Sequence, residues 1–204
     1  MNFVAGDETE PLRRRIGPEE KKSRVVREAR RLFVQCGYHN VSMPDIVKAA
    51  GVSIGAIYSY FPTKEALARQ IHDEALTRFM TLFHQRLSGQ TSCRNRLRAF
   101  AEVVFDTTER NPELMEYLLF MRHGEFMPGL APICFTQPFQ MLREFVREGM
   151  AAGELRAGNP VVSAIAFTGV ILRAAELRLK CVLTEPLVDI GEELIADAWA
   201  AIRV

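Results

Sequence analysis

The sequence predicts an all-α chain: a small N-terminal three-helix unit over residues 18–64, then a helical bundle over residues 65–204. Three observations predict it. Apolar residues recur at helical spacing along most of the chain, and no stretch alternates as a half-buried strand would. The run from Ser42 to Phe61, SMPDIVKAAGVSIGAIYSYF, holds two short helical segments separated by Gly51. Asn111-Pro112 and Asn159-Pro160 each set a capping residue ahead of a proline, which marks a helix start.

Each element has its own reason. Residues 1 to about 17 are charged and aperiodic, as expected of a disordered arm. Pro18 with Glu19 and Glu20 opens the first helix, with acids at the positive end of the dipole. Val25, Val26, Ala29, Leu32 and Phe33 form its stripe, and Gly37 stops it. Ser42 caps the second helix and Asp45 completes a capping-box-like pair. Gly51 supplies the turn, and Ser53 caps a third helix whose Ile54 and Ile57 are expected to face inward. Pro62 ends it, and Lys64 to about Leu87 follows as a long helix. Beyond a break at Ser88–Ser92, further helices are expected over 97–110, 112–122, 135–152, 161–183 and 187–202, with a loop over 123–132.

Two short helices around a glycine, with small residues on the outer side of the second, have the composition of a helix-turn-helix whose reading element is Ile54–Tyr60. The surrounding run, LFVQCGYHNVSMPDIVKAAGVSIGAIYSYFPTKEAL, resembles the DNA-binding domain of the TetR family of bacterial transcriptional regulators over about Lys22–Leu76. Met43-Pro44 departs from the usual small or polar residues, and proline in a first turn is tolerated.

Charge agrees with that reading. The chain carries a formal net charge of +1, but residues 11–72 hold twelve Lys and Arg against five Asp and Glu, while the segments on either side are acidic. A basic third that contains a helix-turn-helix is the electrostatic footprint of phosphate contacts. By their chemistry, Ser42, Tyr58, Tyr60 and Lys64 suit phosphate oxygens, and Arg13, Arg14 and Arg15 suit an arm reaching phosphates or a minor groove. The resemblance implies phosphate contacts at Tyr58, Tyr60 and Lys64, and puts Ser53, Gly55, Ala56 and Ser59 nearest to base edges. No Arg, Asn or Gln lies on the third helix, so specificity is expected from Ser59, methyl packing by Ala56, Lys48, or DNA shape.

The second half is rich in Phe and Met, which suit a pocket for an apolar or aromatic ligand. Phe100, Val104, Met121, Phe139 and Phe145 are the candidate walls, with Thr107, Tyr117, His123 and Thr168 orienting a polar group. The last two helices carry more apolar surface than one bundle face needs, through Ile165, Ile171, Leu172, Leu187, Leu194 and Trp199. The resemblance implies that such helices from two subunits form a four-helix dimer interface, and that the fourth helix links effector occupancy to the spacing of the reading heads. Glu176 in this apolar stretch needs a partner, which Arg173 or Lys180 can supply.

Several classes are not indicated. There is no Gly-rich phosphate loop, HExxH or GxSxG, and the four histidines are isolated, so neither catalysis, a metal nor a cofactor is expected. The four cysteines are scattered, without a CxxC pair, as in a reducing compartment. The longest apolar run, Val161–Leu172, has about twelve residues, short of the ~20 a membrane span needs. A cytoplasmic, dimeric, ligand-responsive repressor that binds double-stranded operator DNA is therefore expected. An all-helical carrier or enzyme without DNA binding is the alternative.

Overall fold

The structure, a computed structural model, describes residues 17–204. The proposed arm, with Arg13, Arg14 and Arg15, lies outside the described residues. The chain is all-helical. Leu155 and Arg203 share a single antiparallel bridge, and no strand forms among the described residues.

The N-terminal unit assembles from α1 (Pro18–Cys36), α2 (Met43–Ala50) and α3 (Ile54–Tyr60). Helix α1 buries Val25, Val26, Ala29 and Phe33, the stripe set by its 3.6-residue period. The Ser42–Asp45 capping box forms in full and opens α2. Gly51 sits at φ 62° and ψ 38°, in the left-handed region where a side chain would be strained, and turns the chain toward α3.

Helix α4 (Lys64–Leu87), capped by Thr63, joins two hydrophobic cores. Its first turns give Leu67, Ala68 and Ile71 to the N-terminal core. Its later turns give Ala75, Phe79, Met80 and Phe83 to the bundle core. The N-terminal core thus continues past residue 64, along α4 to Ile71. It also recruits three residues from far along the chain: Tyr117, Phe126 and Met127.

The bundle comprises α5 (Cys93–Arg110), α6 (Pro112–Met115), α7 (Gln137–Ala151), α8 (Pro160–Leu179) and α9 (Leu187–Ala200). Ser92, Asn111 and Asn159 cap α5, α6 and α8 through their side chains, as the sequence predicts for both Asn-Pro pairs. The helix expected over 112–122 is not regular: after one α-turn the backbone widens into a π-turn over Glu116–Phe120. That turn accompanies a fully buried Tyr117, whose hydroxyl donates to the Ala68 carbonyl at 2.7 Å. In the loop that follows, His123–Glu125 and Ile133–Phe135 form 3-10 turns.

Helix α8, expected over 161–183, is 20 residues long, and by length and composition alone could cross a membrane. Here it is a bundle helix. It buries Ala164, Phe167, Ile171, Ala174 and Ala175 against its neighbours, and Arg173 and Lys180 both pair with Glu176, at 2.7 and 2.5 Å.

Candidate nucleic-acid interface

Helix α3 is held from below and open above. Ile57 is fully buried under it and Phe61 closes its C-terminal end. Ser53 accepts from the Ala56 amide at 3.2 Å, and Gly55 is open, with nothing within 4 Å of an added Cβ. Tyr58 and Ser59 are exposed, while Ala56 and Tyr60 are half-buried. Lys48 projects from the last turn of α2. Lys22 and Arg24 of α1 border the motif: Lys22 lies 6.0 Å from the Phe61 ring, and a guanidinium nitrogen of Arg24 comes within 3.3 Å of a Cβ built on Gly51.

One expectation is overturned on this helix. Ile54 does not face inward with Ile57; it is 49% exposed, as is Tyr58 one turn later. Ile54 is the first helical residue after the Ser53 cap, where the chain has not yet turned its stripe toward the core. The i,i+3 spacing alone could not reveal that.

Two candidate phosphate ligands are already engaged inside the chain. The Ser42 hydroxyl donates to Asp45 Oδ2 at 2.5 Å, and these hydrogen bonds hold the Asp45 carboxyl below the usual carboxylate range. Lys64 donates through Nζ to the carbonyls of Tyr38 and Val41, at 2.9 and 2.8 Å, and lies 4.2 Å from the centre of the Tyr38 ring. Burial pulls its ammonium below the ordinary value. Lys64 therefore anchors the turn between α1 and α2, with one N–H left over.

Behind the helix-turn-helix, aromatic rings connect it to the bundle. Tyr38 stacks on Phe126, Phe126 meets His123 at 5.7 Å, and His123 meets His72 and Tyr117 at 5.0 Å each. Burial first, and the nearby His72 second, pull the His123 imidazole from 6.5 down to about 4, so it is neutral at pH 7. Its Nε2 is buried without a partner. Both histidines line a cavity of about 210 Å³ with Leu118, Leu119, Met121 and Ile133.

The expected effector residues do not share one pocket. Phe100, Val104 and Phe145 are buried in the bundle core, where Phe100 meets Phe79, Phe83 and the half-buried Phe139 edge-on. The Thr168 hydroxyl donates back to Ala164 at 2.8 Å. Thr107 lines a separate groove of about 330 Å³ between α4 and α5, with Leu82, Val103 and Arg110, and its Oγ1 is buried without a partner. Only Met121 and His123 of the set line the junction cavity, and Tyr117 lies against His123 beside it. Richness in Phe and Met cannot separate core from cavity wall, because both are apolar.

The expected dimer residues divide too. Ile171 and Leu187 are fully buried within the chain and cannot meet a partner. Leu172, Leu194 and Trp199 are half-buried, whereas Ile165 is 63% exposed, beside Val161 and Val162. These two valines and Val188 of α9 were not among the expected residues.

An open reading helix on a glycine turn, in an otherwise all-helical chain, defines a helix-turn-helix protein. Residues 25–71 match the family model described as bacterial regulatory proteins, tetR family. That match takes in most of α1, the helix-turn-helix and the first turns of α4. It is similar to the HTH-type transcriptional regulator YuxN of Bacillus subtilis, 33% identical over 92 residues, covering 43% of this chain and 32% of the relative. It is also similar to the HTH-type transcriptional activator FasR of Mycolicibacterium smegmatis, 30% identical over 99 residues, covering 48% and 45%. The chain thus spans between a third and a half of the length of these curated relatives. Its fold matches the transcriptional regulator FadR of Bacillus subtilis, solved in complex with stearoyl-CoA, with a TM-score of 0.70 at 17% identity, covering 89% of this chain and 99% of that one.

Proposed function

We propose that the chain is a dimeric, ligand-responsive, DNA-binding transcriptional repressor. The observation that carries this is the outward face of α3, open from Ile54 to Ser59 above a buried Ile57. In this reading α3 enters the major groove of double-stranded operator DNA, with Ser53, Gly55, Ala56 and Ser59 nearest the bases. Lys48, Tyr58 and Tyr60 contact phosphates, joined by Lys22 and Arg24. The carbonyl bonds of Lys64 and the carboxylate partner of Ser42 make these two positioning residues. The exposed apolar surface of α8 around Ile165 supports pairing by a two-fold axis, which sets the two reading helices one DNA turn apart, ~34–36 Å.

The effector site in this reading is the junction cavity. Its mostly apolar wall, and the unpartnered nitrogen of a neutral His123, suit a small apolar or aromatic molecule with one hydrogen-bonding group. The acyl-CoA ligand of FadR agrees with an apolar effector. An occupant that favours a displaced His123 would press on Phe126 and Tyr38 and shift the population away from the DNA-binding arrangement.

A mobility-shift and footprint assay on the DNA upstream of the protein's own gene tests the first step. A protected, near-palindromic site whose affinity falls steeply with salt is expected. Salt-insensitive association, or none, refutes the reading. A reporter driven from that site separates repression from activation, since loss of the protein should raise expression.

A further inference from the structure

The outward side of α3 opens with hydrocarbon, at Ile54, where a hydrogen-bonding group would be expected. The helix reads IGAIYSY and has no Arg, Lys, Asn, Gln, Asp or Glu. The serine hydroxyls are partly engaged within the chain: the Ser59 hydroxyl donates to the Ala56 carbonyl at 2.7 Å, and Oγ of the capping Ser53 accepts from the Ala56 amide at 3.2 Å. What remains at its start is Ile54, half in solvent, with the open Gly55 beside it and the exposed Tyr58 one turn on. Ile54 is not needed to fill the core, because Ile57 does so. A branched aliphatic side chain cannot read the donors and acceptors of base edges. The major groove displays one apolar group it can meet, the C5-methyl of thymine.

We propose, on the basis of the DNA-binding reading above, that Ile54 is a specificity-determining residue that packs on a thymine methyl in each half-site. The contact buries a methyl group and selects thymine over cytosine and the purines without a hydrogen bond. The open Gly55 allows the helix start to approach closely enough for that contact. Removing the methyl should weaken binding about fourfold per half-site, and about fifteenfold when both half-sites of a symmetric dimer lose it.

The test uses the full chain. Duplexes enriched from a randomised pool define the half-site, and each thymine is then replaced in turn by deoxyuridine, which removes only the methyl. The expected result is one position per half-site where deoxyuridine costs about fourfold for the natural protein and less than twofold for Ile54→Ala. An unchanged thermal melt of Ile54→Ala, followed by circular dichroism, verifies that this exposed change leaves the fold intact. Enrichment with every thymine replaceable at less than twofold cost overturns the methyl contact alone. A deoxyuridine penalty that persists in Ile54→Ala overturns the role of Ile54. A pool in which nothing is enriched overturns the DNA-binding reading and this inference with it.

Discussion

The ring of Phe126 lies 3.9 Å from that of Tyr38, centroid to centroid, and only 12° from parallel. Tyr38 sits in the turn that leads into α2, and Phe126 in the loop that leaves the π-turn, 88 positions further on. The stack is therefore a direct joint between the helix-turn-helix and the bundle. Phe126→Ala should lower the unfolding free energy by about 3 kcal/mol, the cost of emptying a buried phenyl site. A double-mutant cycle with Tyr38→Ala should return a coupling of about 1 kcal/mol, read from urea unfolding. Additive losses would deny the joint.

Lys64 tests whether the turn before α2 is anchored from α4. Its two carbonyl bonds and the Tyr38 ring make it part of the fold. Lys64→Met keeps the apolar stem but leaves the two carbonyls without that donor. The expected loss is about 1–2 kcal/mol, measured by chemical denaturation in the absence of DNA. An unfolding curve identical to the natural protein's would return Lys64 to the phosphate-contacting role expected from the sequence.

Much of this architecture is legible in the sequence. Caps at Ser42, Ser53 and Asn159 and the glycine at 51 act through their nearest neighbours, so local reading finds them. The outward turn of Ile54 depends on where the first helical residue sits above the core, which spacing does not encode. Tyr117 and Phe126 look like bundle residues because nothing local says that they close the core of a domain some fifty residues or more upstream. The effector candidates scatter for the same reason: Phe100 and Met121 share a composition but not a cavity.

Acid should loosen the junction. His123 titrates at about 4 in the folded chain and at 6.5 in a free one, so between these values the unfolded chain binds a proton that the folded chain refuses. Stability from this group is complete above pH 6.5 and falls as the pH drops toward 4, by about 2 kcal/mol once partial solvent access is allowed for. The rings facing it are His72, Tyr117 and Phe126. His123→Phe should flatten the pH dependence of the melting temperature in that window. An undiminished slope would show that His123 is not the group responsible.

Glu109 holds three helices at one point. Its carboxylate accepts from Arg178 at 2.8 and 3.2 Å and from the Leu187 amide at 2.8 Å, joining the end of α5 to the end of α8 and the start of α9. The hydrogen bonds from Arg178, then that from Leu187, outweigh burial and hold this carboxyl below the usual range. Its stabilising contribution is present at neutral pH and is lost as the pH falls through that lowered value. Glu109→Ala should cost about 2 kcal/mol at pH 7, because it leaves the Leu187 amide and two of the three Arg178 guanidinium nitrogens without an acceptor. Calorimetry should find Glu109→Gln intermediate, since the amide oxygen retains one acceptor.

Ile165 and Ile171 lie less than two turns apart on α8 and face different surroundings: the first is 63% exposed and the second fully buried. The same residue type should therefore report two different quantities. Ile171→Ala empties a core site and should lower the unfolding free energy by about 2–5 kcal/mol. Ile165→Arg puts a charge on an exposed apolar face beside Val161 and Val162, so the isolated subunit should melt within about 0.5 kcal/mol of the natural one. If α8 is where two subunits meet, two such arginines face each other across the axis with no countercharge built for them. The dimer should then dissociate at concentrations where the natural protein stays paired, and operator affinity should fall with it. Sedimentation velocity on Ile165→Arg decides the matter: a dimer unchanged in strength would place the interface elsewhere.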